Sequence, residues 1–321
     1  MRLRYSTGRF LRYVGVLVLA LVTVAVIVLA FRHVRMPVPE VGKTPGYSPV
    51  QSGAPKPAPT PDQSAPSEAP EQPAFAVAPI SRILGALDAQ VAYRSAHAQC
   101  GTGPAALEVT SDGGQTWVPA AVGEEGTPLA LRRVVAGANG YVAVIGAREE
   151  ACSTPTSFES FDQGGTWAVS DEALGQSWFV DPVTPSVVHT PAGTTTDVGC
   201  SVARLAVGGV DNASLLCENG TVEATADGGE TWATGPELVG AEALATGNQG
   251  LLVLRAGGAE CAGMEVIALD QSLTQTAATC VPQLGQPAPG QSAIDLSLDG
   301  VLWVWSGDQV LRSTDNGATW L

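Results

Sequence analysis

Three pairs of adjacent carboxylates are the first candidates for acid–base chemistry in this chain of 321 residues: Glu124-Glu125, Glu149-Glu150 and Asp171-Glu172. General acid–base catalysis needs positioned carboxyl groups with different pKa values. All three pairs lie in polar stretches between short apolar runs, where solvated loops are expected. We therefore interpret them as loop residues rather than as catalytic acids and bases.

Metal, phosphate and nucleophile motifs do not occur in the sequence. There is no C-x-x-C, no G-x-S-x-G and no glycine-rich loop between a strand and a helix. His97 and His189 are isolated in the sequence, and we interpret them as surface or packed residues. The sequence thus predicts no catalytic, cofactor-binding or metal-binding residue, and no cofactor.

One pattern of eight residues, [S/T]-x-D-x-G-x-T-W, recurs four times. Five fixed positions in every copy are far beyond chance, and recurrence of this kind indicates a repeat architecture. The copies are Thr110–Trp117 (TSDGGQTW), Ser160–Trp167 (SFDQGGTW), Thr225–Trp232 (TADGGETW) and Ser313–Trp320 (STDNGATW).

The residue types of this octapeptide predict a tight turn between two strands. Its aspartate can accept hydrogen bonds from N–H groups of its own turn, its glycine suits a positive φ, and its tryptophan can pack on the hairpin. We interpret these residues as structural, because the recurrent glycine and tryptophan make sense for packing and not for catalysis. They are Asp112, Gly114, Trp117, Asp162, Gly164, Trp167, Asp227, Gly229, Trp232, Asp315, Gly317 and Trp320.

Short apolar runs between the octapeptides predict strands. Three strands, an octapeptide turn and a fourth strand form one unit, and a decayed octapeptide at Ala268–Gln275 keeps only Asp270 and Thr274. Trp178–Thr196 is left over, either as an insertion, which we favour, or as part of a sixth, degenerate unit. Five units fit the sequence, at residues 80–122, 129–171, 198–236, 240–282 and 290–321.

The octapeptides resemble the Asp-box, or BNR repeat, of sialidase-type and photosystem II assembly-factor-like β-propellers. The resemblance implies an all-β fold, a β-propeller of about five four-stranded blades, with six as the alternative. Asp-boxes occur in enzymes and in non-enzymes, so the resemblance implies an architecture rather than an activity. The assembly-factor-like propellers bind partner polypeptides, which implies a binding platform.

A sialidase-like glycoside hydrolase is the alternative function. Sialidases also have an arginine cluster, a Tyr–Glu pair and a Phe/Tyr-Arg-Ile-Pro segment. The nearest match here, Ser81-Arg82-Ile83-Leu84, lacks the aromatic residue and the proline, and the region after residue 80 has only two tyrosines, Tyr93 and Tyr141. Nothing in the sequence selects an arginine triad from Arg82, Arg132 or Arg133, and Arg204 or Arg255.

Six cysteines predict three disulfides in an oxidising compartment. Two pairs are symmetric about predicted turns, at Gly208-Gly209 and at Asp270-Gln271, and the remaining two cysteines follow the second strands of neighbouring blades. The predicted pairs are Cys100–Cys152, Cys200–Cys217 and Cys261–Cys280.

The first 79 residues differ in composition from the rest of the chain. Residues 13–31 carry no charge, and a helix of this length is roughly 28 Å long, enough to span a bilayer. We predict an uncleaved transmembrane helix after a cytoplasmic tail of residues 1–12, with a cleaved signal peptide as the alternative. Residues 36–79 hold 12 of the 23 prolines, which predicts a disordered linker.

The region that follows the linker is strongly acidic. Residues 80–321 contain eight arginines, no lysine and 27 acidic residues, so nucleic-acid binding is excluded for this region. We predict a single-pass protein of a bacterial cell membrane whose extracytoplasmic propeller binds a protein or a glycan without catalysis. Because the final octapeptide ends the chain, we also predict that residues 74–78 pair with Gln309–Thr314 to close the ring.

Overall fold

A computed structural model describes residues 76–101, 103–123, 127–247, 250–258, 260–315 and 317–321. The predicted membrane helix and nearly all of the predicted linker lie outside these residues. Across the described ranges, no helix has the length and apolar character needed to cross a bilayer.

Six antiparallel sheets make up the described part of the chain, and each is a continuous stretch of sequence. The first two blades are four-stranded. Blade 1 consists of β1 (Ile83–Ala86), β2 (Ala92–Ser95), β3 (Leu107–Thr110) and β4 (Val118–Ala120). Blade 2 consists of β5 (Ala130–Ala136), β6 (Val142–Ala147), β7 (Pro155–Ser160) and β8 (Ala168–Val169), with a 3₁₀ turn at Ala138–Gly140.

The third sheet has three strands and follows a short helix, α1 (Asp171–Gly175). Its strands are β9 (Phe179–Val180), β10 (Val187–His189) and β11 (Thr195–Asp197). Blade 4 consists of β12 (Val202–Val207), β13 (Ala213–Cys217), β14 (Thr221–Thr225) and β15 (Ala233–Glu237). Blade 5 consists of β16 (Ala241–Gly247), β17 (Gly250–Ala256), β18 (Met264–Asp270) and β19 (Gln275–Val281), and blade 6 of β20 (Ser292–Leu296), β21 (Leu302–Ser306) and β22 (Gln309–Ser313).

The architecture is a six-bladed β-propeller, because one strand of each sheet lines a shared central cavity. These inner strands are β1, β5, β9, β12, β16 and β20. The all-β prediction is therefore confirmed. The preference for five blades is wrong: the leftover segment Trp178–Thr196 is not an insertion but forms most of blade 3. The expectation of four strands in every blade also fails, since blades 3 and 6 have three described strands.

The inner strand of blade 3, β9, runs in the opposite direction from the inner strand of blade 4, β12. Trp178, which precedes β9, donates from its indole N–H to the carbonyls of Gly209 and Val210, which follow β12. At the other end, the amide of Val202 at the start of β12 donates to the carbonyl of Pro185, which follows β9. The start of β9 thus lies beside the end of β12, and the two inner strands are antiparallel.

Apolar side chains fill the spaces between neighbouring blades. Tyr93 and Phe158, both fully buried, belong to the cluster between blades 1 and 2. Leu216 and Ile267 belong to the cluster between blades 4 and 5, and Val266 and Val304 to the cluster between blades 5 and 6. Successive side chains of a strand point to opposite faces of its sheet. Both sets are buried here, because each sheet has a neighbouring blade on both faces.

The ring closes between blades 6 and 1 without an exchanged strand in the described residues. Val77 donates to the carbonyl of Glu218 in blade 4, so the predicted pairing of residues 74–78 with Gln309–Thr314 is wrong for the residues described. The outer edge of β22 is instead paired with the last residue, since the amides of Arg312 and Leu321 each donate to the other's carbonyl.

Arginine–tryptophan stacking holds this seam together. The guanidinium carbon of Arg82 lies 4.4 Å from the ring centroid of Trp305, and that of Arg94 lies 4.9 Å from Trp305 and 4.0 Å from Trp117. The indole N–H of Trp303 also donates to the carbonyl of Asp88 across the seam, at 3.0 Å. Cation–π contacts of this kind stabilise a partly desolvated interface.

Three disulfides join Cys100 to Cys152, Cys200 to Cys217 and Cys261 to Cys280, which confirms the predicted pairing. The first links blades 1 and 2, whereas the other two lie within blades 4 and 5. The described residues contain no free cysteine.

Candidate functional site: the central channel

The cavity along the propeller axis has a volume of about 560 Å³. Aliphatic residues such as Ile83, Val134, Leu205 and Leu296 line it, but polar atoms contribute almost as much of its exposed lining as apolar atoms do. A concave space that combines apolar walls with polar groups is the usual form of a ligand site. The cavity is therefore the candidate functional site.

Two faces of the ring are distinguished by the connections they carry. We call the turn face the one that holds the hairpins at residues 87–91, 137–141, 208–212 and 297–301 together with the octapeptide turns. Hydrogen bonds join the two kinds of turn, for example from Gln163 N to Gly140 O at 2.8 Å and from Gly228 N to Asp211 O at 2.9 Å. The opposite side, which holds residues 148–154 and 218–220, we call the strap face.

Residues 76–81, the strap, cross the channel at the strap face. Val77 N donates to Glu218 O at 2.7 Å in blade 4, and Ser81 N donates to Gly290 O at 3.2 Å, just before blade 6. Arg204 donates from Nη2 to Ala78 O at 3.0 Å, and Val77 is only 5% exposed. Since Val77, Pro79 and Ile80 line the cavity, the strap covers this mouth of the channel.

Arg133 of β5 lines the channel and has N–H groups that make no hydrogen bond to the described residues. Its Nη1 donates to the carbonyl of Trp178 at 2.8 Å, and the guanidinium makes no other hydrogen bond among the described residues. Burial lowers the pKa of Arg133 to about 10, which leaves it charged at neutral pH. Arg133 therefore presents unused N–H donors to a ligand in the channel.

Asp295 of β20 is the acidic counterpart of Arg133. Its Oδ2 accepts a hydrogen bond of 2.7 Å from Ala86 N, across the seam between blades 6 and 1. Burial raises the pKa of this carboxyl to about 7, although the backbone hydrogen bonds and Arg133 oppose that rise. Among the described residues, Asp295 and Arg133 form no ion pair within 4.0 Å.

A third polar group of the channel belongs to blade 3. Asp181 Oδ2 lies 3.1 Å from His189 Nε2, and the imidazole is stacked on Phe179 at 4.1 Å between ring centroids. Asp181 and Phe179 line the cavity. His189 is thus a packed residue, as interpreted from the sequence, and the hairpin between β9 and β10 also brings Asp181 to it.

Of the five arginines considered for a triad, four line the cavity and Arg255 does not. Arg255 pairs with Glu265, at 2.5 Å between Nη2 and Oε2. Arg82 and Arg204 line the channel but donate to backbone carbonyls, those of Gln291 and Gly307 and those of Ala203 and Ala78. Arg132 is exposed, and its Nη2 lies 3.6 Å from Cys100 Sγ.

Arg204 also faces a buried carboxylate. Burial raises the pKa of Glu242, while burial lowers the pKa of Arg204 to about 10, and each charge favours the charged form of the other. Arg204 Nε and Glu242 Oε2 are both buried without a partner in the described residues. This pair lies beside the strap and Arg204 binds the strap carbonyl of Ala78, so we assign Arg204 a structural role.

The Tyr–Glu pair required for a sialidase-type reaction is not in the channel. Tyr141 donates to Glu159 Oε1 at 2.9 Å, but neither residue lines the cavity. Burial, with a smaller contribution from Glu159, raises the pKa of Tyr141 to about 12. The carboxylates at Glu149-Glu150 and Asp171-Glu172 are not cavity residues either, and Glu124-Glu125 lies outside the described residues.

The octapeptide residues form a repeated hydrogen-bond network at the outer turns. Asp112 Oδ1 accepts from Thr116 N at 2.9 Å, Thr110 Oγ1 accepts from Gly114 N at 2.9 Å, and the indole of Trp117 donates to Gly114 O. The aspartate bonds recur in the other three copies, at Asp162, Asp227 and Asp315. All four tryptophans are half-buried.

These hydrogen bonds explain the ionisation of the octapeptide aspartates. Bonds from the threonine side chain and backbone lower the pKa of Asp112 to about 2, and bonds from the equivalent threonines do the same for Asp162, Asp227 and Asp315. The decayed copy keeps the bond from Thr274 N to Asp270 Oδ1, at 3.0 Å. It has no glycine, and Leu273 takes a positive φ of 60° instead.

A possible metal-ligand group, Cys200, Cys217 and Glu223, lies outside the channel walls described above. Its ligand atoms are within 4.8 Å of one another. The two sulfurs are bonded to each other, so they offer no thiolate to a metal ion. The group is a disulfide with a neighbouring carboxylate.

Comparison with known proteins adds no family assignment. No family model and no curated protein sequence matches the chain. Similar solved structures include YCF48 bound to a D1 peptide, at 18% identity, a TM-score of 0.29 and coverage of 78% of this chain and 67% of that one. The Niastella koreensis GH74 enzyme is 16% identical, with a TM-score of 0.40 and coverage of 74% of this chain and 37% of that one.

A third similar structure is the Aleuria aurantia lectin in complex with Fucalpha1-6GlcNAc. It is 11% identical, with a TM-score of 0.49 and coverage of 78% of this chain and 96% of that one. Strand pairing within this chain defines its class, which is a six-bladed β-propeller.

Proposed function

We propose that this chain is a membrane-anchored, extracytoplasmic β-propeller that binds a protein or a glycan in its central channel without catalysis. The octapeptides are, in this proposal, Asp-box repeats that hold the blades. A cavity of about 560 Å³ has the size of a ligand site and accommodates a side chain, a loop tip or a monosaccharide.

Arg133 is the observation that carries the proposal. Arg82 and Arg204 each donate to two carbonyls and Arg132 is exposed beside a disulfide, whereas the half-buried Arg133 makes a single hydrogen bond among the described residues, to the Trp178 carbonyl. A charged guanidinium with unused N–H groups makes a strong hydrogen bond to a ligand oxygen, the more so where burial reduces competition from water. The ligand therefore presents an acceptor oxygen to Arg133.

Three disulfides support the extracytoplasmic location. All six cysteines are paired, and structural disulfides persist in oxidising compartments. The uncharged run at residues 13–31 supports the membrane anchor.

The channel geometry favours binding over sialoside hydrolysis. A hydrolase of that type needs free arginines next to a Tyr–Glu pair, yet Arg82 and Arg204 are engaged and Tyr141–Glu159 lies outside the channel. A purified full-length protein should therefore leave a fluorogenic sialoside unhydrolysed. Turnover that disappears in Tyr141→Phe would contradict the non-catalytic proposal.

Photo-crosslinking in intact envelopes tests the binding site. A photoreactive residue replaces Val207 of the channel wall in the full-length chain, and adducts are separated by mass after irradiation. We expect one dominant adduct that Arg133→Met removes, because the ligand loses its hydrogen-bond donor. Protease or periodate treatment of the adduct then identifies a protein or a glycan.

The matched control is Arg255→Met. Arg255 lies outside the channel and pairs with Glu265, so its loss should leave the adduct at position 207 unchanged. Circular dichroism of both variants monitors folding. An adduct that persists in a folded Arg133→Met protein would rule out Arg133 as the anchor of the ligand.

A further inference from the structure

The turn face carries the open mouth of the channel. The strap covers the other mouth, where Val77 is packed between blades 4 and 5 and Arg204 holds Ala78. At the turn face the channel is lined by Ala136, Gly208, Gly209 and Leu298, of which Gly208 is exposed and Leu298 is 67% exposed. A ligand therefore enters from the turn face.

Exposed apolar side chains lie on the turn face, which carries this mouth. Phe161 is 72% exposed and Val210 is 69% exposed, and together with Leu298 they occupy blades 2, 4 and 6. The ring of Tyr141 lies 5.4 Å from that of Phe161 and extends the apolar area of blade 2. Large exposed apolar groups around a concavity are typical of protein–protein contact sites.

The same face has a strongly negative charge. Its described turns carry eight aspartates: Asp88, Asp112, Asp162, Asp211, Asp227, Asp270, Asp299 and Asp315. The octapeptide aspartates have a pKa near 2 and are ionised at neutral pH. The guanidinium of Arg312 reaches this face but already donates to Ala89 O and stacks on Trp303, at 5.3 Å from the ring centroid.

A basic protein loop suits this mouth better than a neutral sugar. Ala136, Gly208, Gly209 and Leu298 have no side-chain donor or acceptor, so a sugar would depend on backbone groups and on Arg133. A loop with an apolar tip packs on Leu298, accepts from Arg133 with a main-chain carbonyl, and places basic flanks near the aspartates of this face. A neutral sugar gains nothing from those aspartates.

We infer that the turn face docks a protein partner whose loop has an apolar tip and basic flanks. The tip contacts Leu298 and Val210 at the mouth, a main-chain carbonyl of the tip accepts from Arg133, and the basic flanks face the turn-face aspartates. Charge complementarity selects this partner over an acidic or an uncharged one. The inference rests on the proposed binding function and specifies its face and its partner.

Two cyclic peptides test this inference by calorimetric titration of the full-length protein. Both have a Leu-Gly-Leu tip, and the flanks are lysines in one and glutamates in the other. We expect saturable binding of the lysine peptide, weakened as salt increases, and no binding of the glutamate peptide. Leu298→Ser should weaken binding about tenfold, because it removes one buried side chain from the interface.

Matched variants on the strap face serve as controls. Val239→Ser removes an apolar side chain that is 61% exposed, and Glu150→Lys reverses an exposed charge there. Neither should change the affinity, whereas Asp211→Lys on the turn face should weaken it. The inference would be overturned if the two sets of variants had equal effects or if both peptides bound equally. It would also be overturned if the lysine peptide did not bind.

Photoreactive residues at positions 210 and 239 extend the test to intact envelopes. Protein adducts at position 210 that Leu298→Ser reduces, with none at position 239, support docking at the turn face. Adducts at position 239 alone, or glycan adducts at position 210, overturn it. If the channel adduct at position 207 persists while position 210 yields none, the docking inference fails and the binding function stands.

Discussion

Blades 2 and 3 are held in the ring in two different ways. Blade 2 carries its own octapeptide, whose Asp162 accepts from Thr166 N at 2.8 Å and whose Trp167 donates to Gly164 O at 3.0 Å. Blade 3 has no octapeptide and relies on blade 4. Its Trp178 donates to Gly209 and Val210, and Thr196 Oγ1 donates to Gly229 O at 3.0 Å.

This difference shows that an octapeptide turn can support two blades. Gly229 belongs to the octapeptide of blade 4, and Trp232 of the same turn meets Trp178 edge-on, at 6.2 Å between ring centroids. The turn of blade 4 therefore replaces the missing turn of blade 3. Loss of a repeat motif is tolerated where a neighbouring copy offers a surface for packing.

The largest effect should follow from removal of Trp178. Trp178 is 1% exposed and makes two hydrogen bonds, so Trp178→Ala should lower the free energy of unfolding by about 3–5 kcal/mol. Trp167→Ala, in the half-buried position of an octapeptide, should cost less. Urea unfolding followed by far-UV circular dichroism measures both, and an equal loss would mean that blade 3 does not depend on this contact.

A smaller difference should separate two octapeptide glycines. Gly164 and Gly229 have φ values of 92° and 90°, so an alanine at either position costs about 1–2 kcal/mol in backbone strain. An added Cβ at Gly229 would also lie 3.1 Å from Thr190 Cγ2 and 3.2 Å from Trp178 Cη2, both in blade 3, whereas at Gly164 the nearest atom would be Trp167 Cζ2 of the same octapeptide, at 3.3 Å. Gly229→Ala should therefore show the lower unfolding midpoint in urea, and the reverse order would contradict the shared role of this turn.

Acid should weaken the octapeptide turns. The pKa of the Asp112 carboxyl is about 2 in the folded chain, below the value near 3.9 of an unfolded aspartate. Its contribution to stability is thus present above about pH 4 and is lost as the pH falls towards 2. Hydrogen exchange, corrected for intrinsic rates, should show more opening of β3 and β4 at pH 2 than at pH 5.

Blade 3 tests its own dependence on the turn of blade 4. It has no octapeptide aspartate, but Thr196 of β11 donates to Gly229 O in the octapeptide of blade 4, whose Asp227 also has a pKa of about 2. The amides of β10 and β11 should therefore also open as the pH falls from 5 to 2. Unchanged protection of β10 and β11 while β3 and β4 open would contradict the shared role of the blade 4 turn.

Sequence analysis could predict the blades whose folding signal is local. The octapeptides indicate blades 1, 2, 4 and 6 because turn, glycine and tryptophan lie within eight residues, and Asp270 still indicates blade 5. Blade 3 was not predicted, because the hairpin that stabilises its Trp178 lies more than 30 residues away in the sequence. Its reversed inner strand also breaks the spacing on which repeat detection depends.

The candidate site was harder to predict than the fold. Arg133 and Asp295 are separated by 162 positions in the sequence and line the same cavity only because the ring closes. Arg132 and Arg133 are adjacent, and the register shift between Leu131 and Arg133 in the pairing of β5 with β6 lies at this point. Sequence alone could not choose between these two arginines, since the choice depends on that irregularity.

The strap determines how mechanical force would enter the ring. The chain reaches blade 4 at Val77 before it reaches blade 1 at Ile83, so a pull on the chain ahead of Ala76 acts first on the bond from Val77 to Glu218 and on the contact between Ala78 and Arg204. Blade 1 would feel the load only after those contacts had broken. The strap thus protects the seam between blades 6 and 1, which no exchanged strand reinforces in the described chain, from tension along the polypeptide.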